Sequence, residues 1–234
     1  MEMVALTGTM ENRQRFVIGD IHGCTRALEV LVDRMNLTPN DLVVVLGDAV
    51  DRGPDTRKVL EQLIEIGKTC ELVYILGNHE EMMLEAISGR NVDEWLHYGG
   101  SATLASYHGD LNNIPDEHLA LMNSAVKYYE GPTEICIHAN LEPGVELHRQ
   151  RSRWLRWKKL TGREFPHPSG KRVICGHSGV GYGAPAVGNG WICLDTMAYG
   201  GGLLSCMNLE SGEIMQARQT GEFRGGVFVH ELEA

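Results

Sequence analysis

The chain has 234 residues, 43% hydrophobic and 22% charged, with a formal net charge of -10. That length fits one sizeable α/β domain, the acidic balance argues against a nucleic-acid partner, and no apolar run approaches the roughly 20 residues of a membrane span. It does not exclude a phosphorylated substrate, because metals and one or two arginines can hold phosphate inside an acidic protein.

Residues 1–14, MEMVALTGTMENRQ, are polar and lack a basic start or an apolar stretch. They read as a disordered lead-in, not a signal peptide. Residues 15–234 contain no repeat or linker and read as one domain. Phe16-Val17-Ile18 is a strand that stops at Gly19-Asp20-Ile21-His22-Gly23. The apolar spacing of Leu28, Val30, Leu31 and Met35 predicts a helix. Leu42 to Leu46 is a second strand, ending in Gly47-Asp48-Ala49-Val50-Asp51-Arg52-Gly53. A helix opens at Pro54-Asp55-Thr56 and is expected to stop at Gly67. Leu72 to Leu76 runs into Gly77-Asn78-His79-Glu80, and a helix follows through Met82, Met83, Leu84 and Ile87. This β-α-β-α-β-α alternation is the pattern of parallel crossover units.

Residues 91–126 change character and read as a helical insertion near the site, with a helix from Pro115 to Val126. Thr133 to His138 is a strand. Glu142 to Gly170 is irregular and rich in arginine and tryptophan, as specificity-bearing segments often are. From Lys171 the pattern is strands and turns, read as an antiparallel sheet separate from the first. The six cysteines form no CxxC pair and read as buried reduced thiols of a cytoplasmic protein, with a thiolate metal site or redox switch as the lesser alternative.

Five strand ends therefore carry metal-ligating side chains, the last two being His138 after Ile135-Cys136-Ile137 and His177 after Gly176. Two aspartates, one asparagine and three histidines are more than one metal needs and suit two metals sharing a carboxylate. Asp20 and His22 alternate along the chain, so both can face one metal. Asp48 can bridge, and Asn78, His138 and His177 can complete the second. His79, one residue beyond Asn78, should point at substrate. The planar fork of Arg52 suits two phosphate oxygens, while Glu80 reads as support for the next helix. The mixed nitrogen and oxygen donors suit Mn, Fe, Co, Ni or Zn better than Ca, with Mn the first choice.

The order GDIHG, GDAVDRG, GNHE, IHA and GH resembles the phosphoprotein phosphatase branch of the calcineurin-like metallophosphoesterases. Within it the chain is similar to the bacterial and bacteriophage lambda-type serine/threonine phosphatases, which are related to the bis(5′-nucleosyl)-tetraphosphatases. Trp95-Leu96-His97-Tyr98-Gly99-Gly100, Ser106-Tyr107, Leu194-Asp195-Thr196 and Tyr199-Gly200-Gly201 extend the match over about residues 15 to 217. The resemblance implies a four-layer α/β/β/α sandwich with mixed sheets. It assigns Asp20, His22 and Asp48 to one metal, and Asp48, Asn78, His138 and His177 to the other. It makes His79 the general acid, oriented by Asp51, and Arg52 a phosphate clamp. Trp154-Leu155-Arg156 resembles the family's tryptophan-x-arginine, which makes Arg156 the second clamp. Asp195 is read either as a partner of a ligand histidine or as structural.

The implied reaction is hydrolysis of phosphoserine and phosphothreonine, with phosphotyrosine and small phosphate esters as further substrates, by direct attack of a metal-bridging hydroxide. The alternative is a bis(5′-nucleosyl)-tetraphosphatase. Those relatives more often carry Asp after Gly-Asn-His and another residue at the position of Asp51, so Glu80 and Asp51 favour the phosphatase. An inactive phosphate-binding scaffold is disfavoured because every expected ligand is present. Two departures from the family pattern are Asn140, where His-Ala-Gly is common, and Met197 in LDTM.

Overall fold

The computed structural model describes residues 13–181 and 183–232, so the expected lead-in lies outside them except for its last two residues. Arg13 pairs with Glu71, and the Gln14 N–H donates to Asp41 Oδ1 at 2.8 Å. The first half alternates β1 (Arg15–Ile18), α1 (Thr25–Met35), β2 (Leu42–Val45), α2 (Thr56–Thr69), β3 (Glu71–Tyr74) and α3 (Asn78–Ile87). Asp55 caps α2 by accepting the Lys58 N–H at 3.0 Å. That helix runs past Gly67 to Thr69, and a Cβ at Gly67 would meet only Leu72, at an ordinary contact distance of 3.6 Å.

Residues 91–126 form α4 (Val92–Trp95), a turn at 96–100 broken by Gly99 with φ 118°, α5 (Ser101–Ser106) and α6 (Asp116–Asn123). Then come β4 (Tyr129–Glu130), β5 (Glu134–Cys136), α7 (Ser152–Trp157), β6 (Arg172–Cys175), β7 (Ala186–Gly188) and β8 (Trp191–Cys193). The chain finishes with β9 (Leu204–Asn208), β10 (Glu213–Ala217), β11 (Phe223–Phe228) and α8 (Val229–Leu232).

Two mixed sheets result, with strand orders β11-β10-β9-β1-β2-β3 and β4-β5-β6-β8-β7. One expectation is corrected. The C-terminal strands β9, β10 and β11 extend the first sheet, with β9 antiparallel to β1. The second sheet is built from the middle of the chain, and its centre, β5-β6-β8, is parallel.

The period-two alternation of the strands makes the layers. Phe16, Ile18, Val43 and Val45 face α1 and α2 with Leu28, Leu31, Leu60 and Leu63. Val17, Leu42, Val44 and Leu46 face the other way and meet Cys136, Ile174 and Ile192 of the second sheet. Ile135, Val173, Cys175 and Trp191 face outward under Leu155 of α7. Each such aliphatic or aromatic side chain, fully buried, contributes about 1.5–3 kcal/mol. All six cysteines are buried and free.

The parallel strands β1, β2 and β3, with β5 and β6, point their carboxyl ends toward one edge, where the loops pack backbone against backbone. A Cβ at Gly53 would lie 1.7 Å from the His22 carbonyl oxygen, and one at Gly47 (φ +98°) 2.7 Å from the Gly77 nitrogen. Gly53→Ala is therefore expected to cost roughly 2–4 kcal/mol, because neither strand-end loop can retreat. Urea denaturation against the parent protein measures it.

Candidate active site

The strand ends bring together the side chains singled out above. Asp20, His22, Asp48, Asp51, Asn78, His79 and His138 are all buried, and His177 is half-buried. Nine non-glycine residues among those described have left-handed φ, and five of them are His22, Asp48, Asp51, Arg52 and His177. Such backbone is disfavoured for L residues and gathers where loops must aim side chains inward.

Asp48 is the hub. Its Oδ2 lies 3.5 Å from His22 Nε2 and its Oδ1 3.4 Å from His138 Nε2. Burial works to raise its pKa, but the imidazoles of His138, His79, His22 and His177 outweigh it and hold the carboxyl below its usual range. Burial pushes His22 down to about 3 and His177 down to about 4, so both rings are neutral. Burial, with the nearby charges of Asp195 and Asp48, pushes Asp20 well above the usual carboxylate range. Its Oδ2 accepts the His177 N–H at 2.9 Å, and its buried Oδ1 has no partner.

The donor set fits a pair of cations. His138 Nδ1 donates to the Leu46 carbonyl at 2.8 Å, and His177 Nε2 to the Trp157 carbonyl at 3.2 Å. With those nitrogens donating, His138 Nε2 and His177 Nδ1 are the ring atoms left to accept. They lie 3.0 and 2.9 Å from the Asn78 side-chain oxygen, itself an acceptor. Three acceptors held this close repel one another unless a cation lies among them. On the other side, His22 Nδ1 donates to the Val50 carbonyl at 2.8 Å and turns Nε2 toward Asp48. Donor atoms of His22, Asp48 and His79 lie within 4.8 Å of one another, as do those of Asp48, His138 and His177. His79 does not belong with the first group. Burial lowers its pKa, but Asp48 and the bond to Asp51 outweigh burial and raise it, which favours the protonated form over one with a free lone pair for a metal.

Asp51 Oδ2 lies 2.7 Å from His79 Nδ1. The same carboxylate accepts from Trp95 Nε1 at 3.0 Å and Thr103 Oγ1 at 2.7 Å, and Thr56 and Thr103 take the Asp51 N–H. His79 Nε2 is left buried without a hydrogen-bond partner, 4.0 Å from Asp48 Oδ2. Arg52 stands at the mouth, its Nη1 3.2 Å from both His22 Nε2 and the Tyr199 hydroxyl, and its N–H on the Gly99 carbonyl at 3.1 Å. Gly99 and Gly100 explain the WLHYGG stretch: a Cβ would strike the Arg52 side chain at Gly99 and the Trp95 ring at Gly100.

Sequence reasoning missed the supporting groups Trp95, Thr103, Thr56 and Tyr199, although the Trp-Leu-His-Tyr-Gly-Gly and Tyr-Gly-Gly stretches contained two of them. It also understated Glu80. That carboxylate accepts Asp48 N–H at 2.8 Å, Gly77 N–H at 2.9 Å, Ala49 N–H at 2.8 Å and Val50 N–H at 3.3 Å. Arg156 is buried on α7 and ion-paired to Glu81. Asp195 serves backbone, accepting Gly179 N–H at 2.6 Å and Met197 N–H at 3.1 Å. Asn140 uses its oxygen on the Leu141 N–H and its amide on the Lys159 carbonyl. A cavity of about 660 Å³ lined by Asn140, Trp154, Phe165 and Trp191 touches none of the metal-donor residues.

Residues 15–184 match the calcineurin-like phosphoesterase family, and the chain belongs to it. That family is built around a binuclear divalent metal centre, and the two donor groups described above are this chain's candidates for it. Over 75 residues the chain is 41% identical to a symmetrical bis(5′-nucleosyl)-tetraphosphatase of Photorhabdus laumondii, covering 32% of this chain and 26% of that protein. Over 89 residues it is 39% identical to serine/threonine-protein phosphatase 1 of Salmonella typhimurium, covering 38% of this chain and 39% of that protein. These matches thus span about a quarter to two fifths of the curated relatives. In fold it is similar to a protein provisionally named a diadenosine tetraphosphatase, with a TM-score of 0.69, 21% identity and coverage of 92% of this chain and 94% of that one. No helix among the described residues is long and apolar enough to cross a membrane.

Replacing Glu80 by Gln puts an amide N–H₂ against backbone donors that need an acceptor. Glu80→Gln should cost about 1–3 kcal/mol and lower the melting temperature of the metal-free protein, measured by circular dichroism.

Proposed function

We propose that the protein is a phosphomonoesterase with two divalent metals, acting on phosphoserine and phosphothreonine and also on phosphotyrosine and small phosphate esters. The observation that carries this reading is the pair His79–Asp51 beside the metal-donor cluster, with an Nε2 that lacks a hydrogen-bond partner and a cationic arginine at the mouth. Asp20, His22 and Asp48 would hold one metal, and Asp48, Asn78, His138 and His177 the other. Manganese suits these donors first, with Fe, Zn, Co and Ni as alternatives. Bound there, the metals supply counter-charge for the phosphoryl oxygens and an activated water at neutral pH.

The chain's own groups do the rest. Arg52 binds the phosphate with a guanidinium already fixed by the Gly99 carbonyl on its backbone and by Tyr199 on its fork. Asp51 keeps the His79 proton-bearing Nδ1 turned inward, which presents Nε2 to the leaving oxygen. His79 holds a proton at Nε2 and gives it to that oxygen as the ester bond breaks. The buried Asp48 and Asp51 favour the imidazolium this requires. Arg156 is the second clamp, and because Glu81 already holds its guanidinium a phosphate must compete with that carboxylate for it.

The reading as a bis(5′-nucleosyl)-tetraphosphatase uses the same donors and is kept as the alternative, since relatives of both names are similar over the N-terminal motifs. Side-by-side turnover of a phosphoserine peptide and diadenosine tetraphosphate decides between them. The peptide is expected to be the faster substrate, and the reverse order overturns the phosphatase reading. Dialysis against a chelator should abolish either activity, and manganese should restore it.

Asp48→Asn and His79→Asn should each cut hydrolysis of p-nitrophenyl phosphate at least about 100-fold while the circular dichroism spectrum is kept. Near-normal turnover in either variant removes the mechanism. Because the His79 pKa is raised, its acid form persists to higher pH than that of a free histidine. Turnover of an ester with a poor leaving group should fall as pH rises through that raised value, and the alkaline limb should be missing in His79→Asn.

A further inference from the structure

Large apolar or aromatic side chains exposed among the described residues are Tyr98, Val126, Trp157, Phe165, Tyr199 and Val227. Single exposed side chains of this kind need no explanation. Three of these, however, are aromatic residues bonded to groups of the candidate site. The Tyr199 hydroxyl accepts from Arg52 Nη1 at 3.2 Å, and its ring stands edge-on to His22 with centroids 4.9 Å apart. The Arg52 guanidinium carbon lies 4.8 Å from the same ring's centroid. The Trp157 carbonyl takes the His177 Nε2–H, and its indole N–H donates to Glu81, two residues after His79, at 2.7 Å. The Tyr98 carbonyl lies 3.5 Å from Arg52 Nε. Trp157 thus adjoins one metal-donor group, Tyr199 the other, and Tyr98 and Tyr199 flank the arginine between.

We propose that this rim binds a planar aromatic ring carried by the phosphate ester, so that a ring-bearing ligand binds more tightly than its ring-free counterpart of the same phosphate group, whatever the order of turnover among whole substrates. The proposal rests on the phosphoesterase reading above. A phosphate held at Arg52 brings its ester group beside the Tyr199 ring, which is already fixed by its hydroxyl bond. Trp157 offers a second exposed face, and its indole N–H is spent on Glu81, so the ring carbons are what remain for a ligand. Ring pairs of this kind attract at centroid separations of about 4.5–7 Å in offset or edge geometry, and an aliphatic ester gains none of that. Two sources share the chemistry: a phenolic ring directly on the phosphate, or a nucleobase farther along a nucleotide.

Calorimetry on the manganese-loaded protein with non-hydrolysable ligands separates ring recognition from leaving-group reactivity. Phenylphosphonate is compared with methylphosphonate, and α,β-methylene-ADP with methylenediphosphonate. One ring-bearing member should bind about tenfold tighter than its partner, and the pair in which this occurs identifies the source. Trp157→Leu or Tyr199→Leu should reduce that ratio at least threefold. Tyr199→Phe, which keeps the ring, should preserve it, as should Phe165→Ala, whose ring is not bonded to the site. A ratio below threefold in both pairs, or one unchanged in both leucine variants, overturns the rim while leaving the phosphate site intact. Failure of all four ligands to bind removes the phosphate site, and the rim with it.

Discussion

A single buried carboxylate gathers the loops on which the site stands. Glu80 accepts the N–H groups of Gly77, Asp48, Ala49 and Val50, so the start of α3 and the loop after β2 are tied to one another through one side chain. Burial and the charge of Asp48 both push the Glu80 pKa up, and the backbone donors oppose that shift. Asp48 carries the backbone that Glu80 holds and the carboxylate that faces both histidine groups. The position of the metal-donor atoms is thus set by a group that would touch neither metal nor substrate.

Electrostatics explains why the donor cluster is costly without a cation. Imidazole nitrogens, an amide oxygen and two aspartates converge on one region, and backbone carbonyls fix which ring nitrogens face the centre. His79 is treated oppositely, since a carboxylate on Nδ1 favours its protonated form. One short stretch of chain, residues 77–80, therefore supplies a loop anchor, an amide oxygen facing two imidazoles and an imidazole held by Asp51, separated only by the direction each side chain takes from the first turn of α3.

The first half of the fold was legible because each strand, turn and helix is local: Val43 and Val45 alternate with Leu42 and Val44, and Gly47, Gly53 and Gly77 mark strand ends. The family's fold class was legible as well. The sheet joined by β9, β10 and β11 was not, because which neighbour a strand pairs with is set far away in the chain: Met207 faces Val17 and Ile214 faces Met207. Nor was the salt bridge of Arg156 with Glu81, 75 residues apart. The side chains singled out as metal ligands converge because five carboxyl ends meet at one edge. The groups that hold Asp51 beside them, Trp95 and Thr103, come from the insertion, whose irregular pattern gave their location but not their direction.

The left-handed backbone at His22, Asp48, Asp51, Arg52 and His177 has a consequence for how the molecule ages and fails. Each of these residues would relax to an ordinary conformation if its surroundings let go, at a gain of about 1–2 kcal/mol. A loosening at the strand tips therefore turns these side chains out of the cluster before the strands themselves part, and near-native spectra can hide a scattered cluster.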